Sequence, residues 1–193
     1  MRGDFGSVTL SPTPVLDTGG LILRAPEATD WAAWLAFMQS PRSRHVRAGD
    51  MTEGQSWRAF GHVIGHWVLR GFGMFVITEK GHDAALGACG PWFPAGWPER
   101  EIGWSIWVDS AEGKGIAFEA ARAVRDHVFG ALGWDTAVSY IDPANTRSAA
   151  LAARLGCVKD AAPAIIGEHA ADVWRHPHPA VGGDSDGGMG AYA

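Results

Sequence analysis

The stretch "WSIWVDSAEGKGIAFEAARAVRDHVFG", residues 104–130, changes period half-way along. Its start is bulky and alternates like a strand, whereas Ala117, Ala120, Ala121, Val124 and Val128 recur at helical spacing. Between the two lies a charged turn, Glu112-Gly113-Lys114-Gly115. A helix that begins directly after a strand offers unpaired N–H groups and about half a positive charge, a ready site for an anion such as phosphate. Gly113 and Gly115 have no side chain to hold an anion off the backbone, and Ala117 keeps the next turn open. Glycine also serves plain turn geometry, so the segment reads either as a phosphate cradle or as an ordinary helix start. Two familiar phosphate motifs are absent. The P-loop needs Lys-Ser/Thr after its second glycine, where Ile116 stands, and the dinucleotide fingerprint needs glycine at Phe118.

Working outward, "EIGWSIWV" (101–108) reads as a strand with Ile102, Trp104, Ile106 and Val108 on one side and Gly103, Ser105 and Trp107 on the other. Residues 73–80 and 84–92 read as two more strands, joined by a turn at Gly81-His82-Asp83. Upstream, "LILRAP" is a strand stopped by Pro26. A helix follows with Trp31, Trp34, Leu35 and Met38 on one face and Asp30 or Thr29 as N-cap. A second helix carries Trp57, Phe60, Ile64, Trp67 and Val68 and ends at Gly71. Downstream come a strand at 135–142, a helix over "ANTRSAALAARLG", a short strand at "CVKDA" and a last one at "ADVWRH". Residues 1–20 read as a loose arm, 21–177 as a single domain and 178–193 as a disordered tail. The order predicts a mixed α/β domain around one sheet.

The chain has 193 residues, enough for one domain with a full core. A formal net charge of −5 without a lysine- or arginine-rich run argues against nucleic acid as partner and suits a cationic substrate. Two cysteines, Cys89 and Cys157, are too few for a disulfide framework and read as free thiols in a reducing cytoplasm. The N-terminus lacks the apolar run of a signal peptide, and no window approaches the roughly 20 apolar residues of a membrane span.

The sequence resembles the GCN5-related N-acetyltransferase (GNAT) family, in particular its branch of ribosomal-protein and small-molecule acetyltransferases. The family's cofactor motif, Gln/Arg-x-x-Gly-x-Gly/Ala, lies over "EGKGIA", with Glu112, Gly115 and Ala117 in the defining places. "LILRAPEATD" is similar to the branch's opening strand and helix, "EIGWSIW" to its fourth strand, "NTRSAALAARLGC" to its late helix and "ADVWRHP" to its last strand. The resemblance implies an acyl-CoA N-acyltransferase fold: a mostly antiparallel sheet of six to seven strands with a splayed fourth strand, flanked by helices. It implies acetyl-CoA as donor, an amine acceptor on a small molecule or a protein N-terminus, and a dimer as a common assembly. The pyrophosphate would lie on the amides of Gly113, Lys114, Gly115, Ile116, Ala117 and Phe118. The pantetheine arm would follow the backbone of Ile106, Trp107 and Val108, with Asn145 touching the cofactor and Ser148 near its sulfur. The sequence departs from the family at three places. Glu112 puts a carboxylate beside the phosphate site, to be offset by Lys114 or pointed away; Cys157 replaces a phenylalanine; Ala152 fills the slot where many relatives carry a tyrosine acid.

Acetyl transfer needs a neutral amine, and free amines have pKa values near about 10, so a base must take a proton. Glu101 is the leading candidate, either base or exposed strand-end glutamate, with Glu99 as the spare. Ser105 is a second catalytic candidate, for bonding acceptor or thioester, or else a plain strand serine. Trp92 and Trp97 read as loop packing or as walls of an acceptor pocket. His62 and His66 share a helix face, yet Val63 breaks the zinc-protease motif, and His169, His176 and His178 fall in what reads as a flexible segment. No metal site is assigned. The rival readings are a non-catalytic acyl-CoA-binding module and, more weakly, a dinucleotide oxidoreductase.

Overall fold

The computed structural model describes residues 9–47 and 49–179. Most of the expected tail and residues 1–8 of the expected arm lie outside the described residues. In chain order the strands are β1 (Leu16–Asp17), β2 (Leu21–Arg24), β3 (Phe75–Glu79), β4 (Gly87–Trp92), β5 (Glu101–Ile106), β6 (Val138–Ile141), β7 (Val158–Lys159), β8 (Ala164–Ile166) and β9 (His169–Arg175). They form a sheet in the order β1-β2-β3-β4-β5-β6-β9-β7, with β8 paired to β9. All neighbours are antiparallel except β5 and β6. Nine strands exceed the expected six to seven because β1 and β8 are too short to show alternation. β1 also draws the end of the expected arm into the sheet, pairing Leu16 with Leu23.

Four helices, α1 (Trp31–Met38), α2 (Glu53–Arg70), α3 (Ile116–Gly130) and α4 (Thr146–Arg154), complete the domain. α2 starts on a capping box in which Thr52 and Gln55 each accept the other's backbone N–H, and stops at Gly71, whose φ of 75° is left-handed. Its face differs from expectation: Trp57 and Val68 are 60% and 70% exposed, while Phe60, His66 and Trp67 are buried. The expected cap of α1 is also different. Asp30 makes no side-chain cap; its carboxylate accepts two hydrogen bonds from Arg24 (2.8 and 2.9 Å) and one from the N–H of Glu27.

Alternation sends the strand side chains into two cores. Leu23, Phe75, Ile77 and Ile102 pack with Ala120, Ala121, Val124 and Val128 of α3. On the other face Val76, Ala88 and Trp107 pack with Trp34, Phe37 and Met38 of α1 and Phe60 of α2. Each large apolar side chain so buried contributes about 1.5–3 kcal/mol before entropy is counted. Cys89 and Cys157 are free and buried, and burial pushes both thiols up, Cys157 to about 11.

β5 has two unlike edges. Along β4 it is paired at six positions, from Gly87↔Ile106 to Trp92↔Glu101, but to β6 it is paired only at Glu101↔Val138. The strands part beyond that rung, which is the splay expected for this strand.

Candidate active site

The parted edge opens into a cavity of about 1170 Å³ bounded by β4, β5, β6 and the helices α1 and α2. Strand alternation decides what each residue of β5 offers it. The backbone groups of Ile102 and Ile106 face the open side, where Ser139 donates to the Ile102 carbonyl (2.6 Å) and Arg42 reaches the Ile106 carbonyl (3.4 Å). The N–H of Trp107 instead donates to Leu86 (2.8 Å), so of the three residues expected along a pantetheine arm, Trp107 turns its N–H to the closed side and Ile106, by strand alternation, turns its N–H to the open one. The Trp107 side chain is buried in the second core, where its indole donates to Ser105 Oγ (2.9 Å). Ser105 lines the cavity with that proton-accepting role already filled.

Glu101 sits on the closing rung and is half-buried. Trp97 donates its indole N–H to the carboxylate at 2.7 Å, and the backbone N–H of Tyr140 adds a second bond. Desolvation outweighs both and pushes Glu101 up to about 7. The other two carboxylates lining the cavity have side-chain partners, Asp50 in Arg47 (2.9 Å) and Asp142 in His45 (2.7 Å). Glu101 is thus the cavity carboxylate, among the described residues, left for a cationic ligand. Glu99 is not in this wall; it pairs with Arg175 at 3.0 Å. Trp92 and Trp97 both line the cavity, as the wall reading anticipated.

On the turn between β5 and α3, Gly113 and Gly115 have φ values of 74° and 80°, and a Cβ on either would meet nothing within 4 Å. Such an open left-handed turn is where glycine is required. Gly115 is the N-cap of α3, and the first amides of the helix, at Ile116, Ala117 and Phe118, have no preceding carbonyl four residues back within it. Open space, bare backbone and aligned amides fit a pyrophosphate. Lys114 is exposed, and the expected offset of Glu112 comes from elsewhere: Arg42 Nη1 lies 2.8 Å from its Oε2, and Arg147 meets its Oε1. These guanidiniums hold the Glu112 carboxyl below its usual range.

Across the seam, Asn145 caps α4 by accepting the N–H of Ser148 (3.2 Å), so its carbonyl is occupied and its amide nitrogen is left for a ligand. Ser148 Oγ accepts from the Trp104 indole (3.2 Å), which ties α4 to β5 and leaves the hydroxyl proton free to donate. Ala152, in the expected tyrosine slot, is fully buried. His176 is part of a strand-end network, not a flexible segment: its Nε2 lies 2.9 Å from Ser139 Oγ, and burial lowers it to about 3. His66 engages both ring nitrogens with backbone, Nδ1 with Phe72 O (2.8 Å) and Nε2 with Phe93 N (3.0 Å), which leaves no lone pair for a metal. Sequence reasoning missed Arg42, Arg147, Tyr140 and Ser139. Only Arg147, inside the late-helix motif, had a local signal.

Comparison with known proteins identifies the family and the fold. The profile of the acetyltransferase (GNAT) domain matches residues 20–158. An acetyltransferase from Agrobacterium tumefaciens str. C58 is 36% identical, with a TM-score of 0.78 over 89% of this chain and 99% of that one. A GNAT-family acetyltransferase from Bacillus anthracis shares the fold at 21% identity, with a TM-score of 0.68 over 84% and 96%. So does the ribosomal L7/L12 alpha-N-protein acetyltransferase RimL in complex with coenzyme A, at 17% identity and a TM-score of 0.66 over 84% and 96%. With a splayed β5, a glycine turn opening α3 and a family match across most of its length, the chain belongs to the GNAT acetyltransferase family.

Proposed function

We propose that the protein transfers an acetyl group directly from acetyl-CoA to a primary amine, on a small molecule or a protein N-terminus, with Glu101 as general base. The observation that carries this reading is Glu101 itself: a carboxylate at the closed end of the split, facing the cavity, with no cation paired to it among the described residues and with a pKa pushed up to about 7. A base works best when its pKa lies near the operating pH, and an ammonium near about pKa 10 must lose a proton before it can attack. Glu101 takes that proton, directly or through water, while Trp97 and the amide of Tyr140 hold the carboxylate in place. The backbone N–H of Ile106 on the open side supplies a donor for the thioester carbonyl oxygen. The amides of 113–118 supply donors for the pyrophosphate, and Asn145 and Ser148 face the arm between. When bound, acetyl-CoA supplies the acetyl group as a thioester.

The aromatic walls at Trp92 and Trp97 favour an acceptor whose ammonium sits on an apolar or ring-bearing body. Two buried free thiols accord with a cytoplasmic setting.

Calorimetric titration of acetyl-CoA into the protein and into a Gly115→Trp variant tests the donor half. Binding that the variant loses supports the cradle, and no binding by the unaltered protein rejects it. Steady turnover with an amine panel then separates the transferase from a binding module, which would bind the donor without consuming it.

A further inference from the structure

Residue 112 stands where the family's cofactor motif carries glutamine or arginine, and a lone carboxylate there would repel a pyrophosphate. The structure does not leave it alone. Arg42 reaches Glu112 from the 3-10 turn Pro41–His45, 70 residues away in sequence, and also meets Asp109. Arg147 reaches the other carboxylate oxygen from the first turn of α4, 35 residues away. Two cations from separate elements therefore converge on one anion at the edge of the glycine turn. A guanidinium has five N–H donors, and each here commits only part of its set to carboxylates. Arg42 Nε is buried with no hydrogen-bond partner among the described residues, and Arg147 is 82% exposed, so neither fork is saturated. Counting Arg42, Arg147 and Lys114 against Asp109 and Glu112, the cluster at the glycine turn carries one net positive charge (+3 − 2) in a protein whose overall charge is negative.

We propose that Glu112 is a positioning residue for acyl-CoA: it holds Arg42 and Arg147 beside the 113–117 turn, and the two guanidiniums meet the anionic phosphates. The carboxylate then acts through its cationic partners, the reverse of simple repulsion. Arginine suits the task because its planar fork matches phosphate oxygens two at a time. The inference rests on the acyl-CoA reading of the site and adds to it how this chain works with glutamate at residue 112.

The two views of Glu112 predict opposite signs. Titration of coenzyme A is compared among the unaltered protein, Glu112→Gln and Arg147→Ala, each at low and at physiological salt. If Glu112 holds the arginines, Glu112→Gln weakens binding by about five- to tenfold although it removes a negative charge. Arg147→Ala weakens it by a similar factor and makes affinity less sensitive to salt, because one exposed cation no longer contributes. The double variant is no weaker than about the worse of the two single ones, since both remove the same arrangement. Equal or tighter binding by Glu112→Gln overturns the proposal, as does an Arg147→Ala variant with unchanged affinity and salt dependence. Absence of binding by the unaltered protein is a different result: it rejects the acyl-CoA reading and this inference with it. Melting temperatures of both variants separate lost folding from lost affinity, and exposed Arg147 is the variant expected to leave folding intact.

Discussion

The two edges of β5 belong to one six-residue strand and have opposite fates. On the β4 edge six residue pairs close the ladder, and β4 itself is buried from Gly87 to Pro91, with Cys89 at 0% exposure. On the β6 edge one pair forms, and two of the carbonyls beyond it turn to side chains: that of Ile102 to Ser139, that of Ile106 to Arg42. Buried backbone polar groups must find partners somewhere. A sheet that withholds pairing at one edge keeps donors and acceptors for a ligand, and the closed edge supplies the rigidity that makes those groups a fixed template. The site is thus made by what the ladder leaves out.

Breaking the comparison at its hinge should give the largest effect. Glu101 sits on the only rung shared by β5 and β6, and Glu101→Gln should lower kcat by about 10²- to 10⁴-fold while leaving the melting temperature at pH 8 equal or higher. The sign of the second part follows from the raised pKa: the folded state holds the proton up to about pH 7, whereas an unfolded glutamate releases it near about 4.3, so ionisation costs the fold stability as pH rises between the two. The same value predicts that kcat/KM climbs through about pH 7 and then levels, and that the glutamine variant lacks this limb. A profile unchanged by the substitution would remove Glu101 from the mechanism. In the closed half, Phe75→Ala should cost about 3–5 kcal/mol in urea unfolding, since the ring is fully buried, yet the KM for acetyl-CoA of the protein that remains folded should hold. At the open edge, Ser139→Ala removes one stitch to Ile102 and should cost only about 1–3 kcal/mol. If Phe75→Ala moved KM as much as stability, the two edges would not be separable in the way described.

Local signals in the chain were enough for the main strands, the four helices and the glycine turn. Alternation in 101–108 and the 3.6 period after 116 are properties of neighbouring residues, and a left-handed turn between strand and helix calls for glycine by sterics alone. What escaped depends on distance along the chain or on brevity. Arg42 lies in a 3-10 turn without periodicity, and its partners are 67 and 70 residues away. The exposure of Trp57 and Val68 was illegible because an apolar helical stripe does not say how much of its width a sheet will cover. His176 looked like part of a polar tail, but strand β9 ends just before it and carries it under the seam to Ser139. Glu101 was legible as a candidate through the family resemblance, at the start of a strand where relatives often place a carboxylate. Its raised pKa was not, since that comes from burial in the folded chain, against which the hydrogen bonds from Trp97 and the Tyr140 amide work.

The turn Pro41–His45 touches both banks of the opening, Arg42 on Asp109 and Glu112 and His45 on Asp142, while Arg44 and His45 line the cavity itself. A segment so placed is a thermodynamic link between two binding events. Any ligand at the glycine turn that shifts Arg42 changes the free energy of the cavity wall, and linkage obliges an acceptor that shifts the wall to change donor affinity by the same factor. Such reciprocity, where two ligands bind, passes through five residues that belong to neither core.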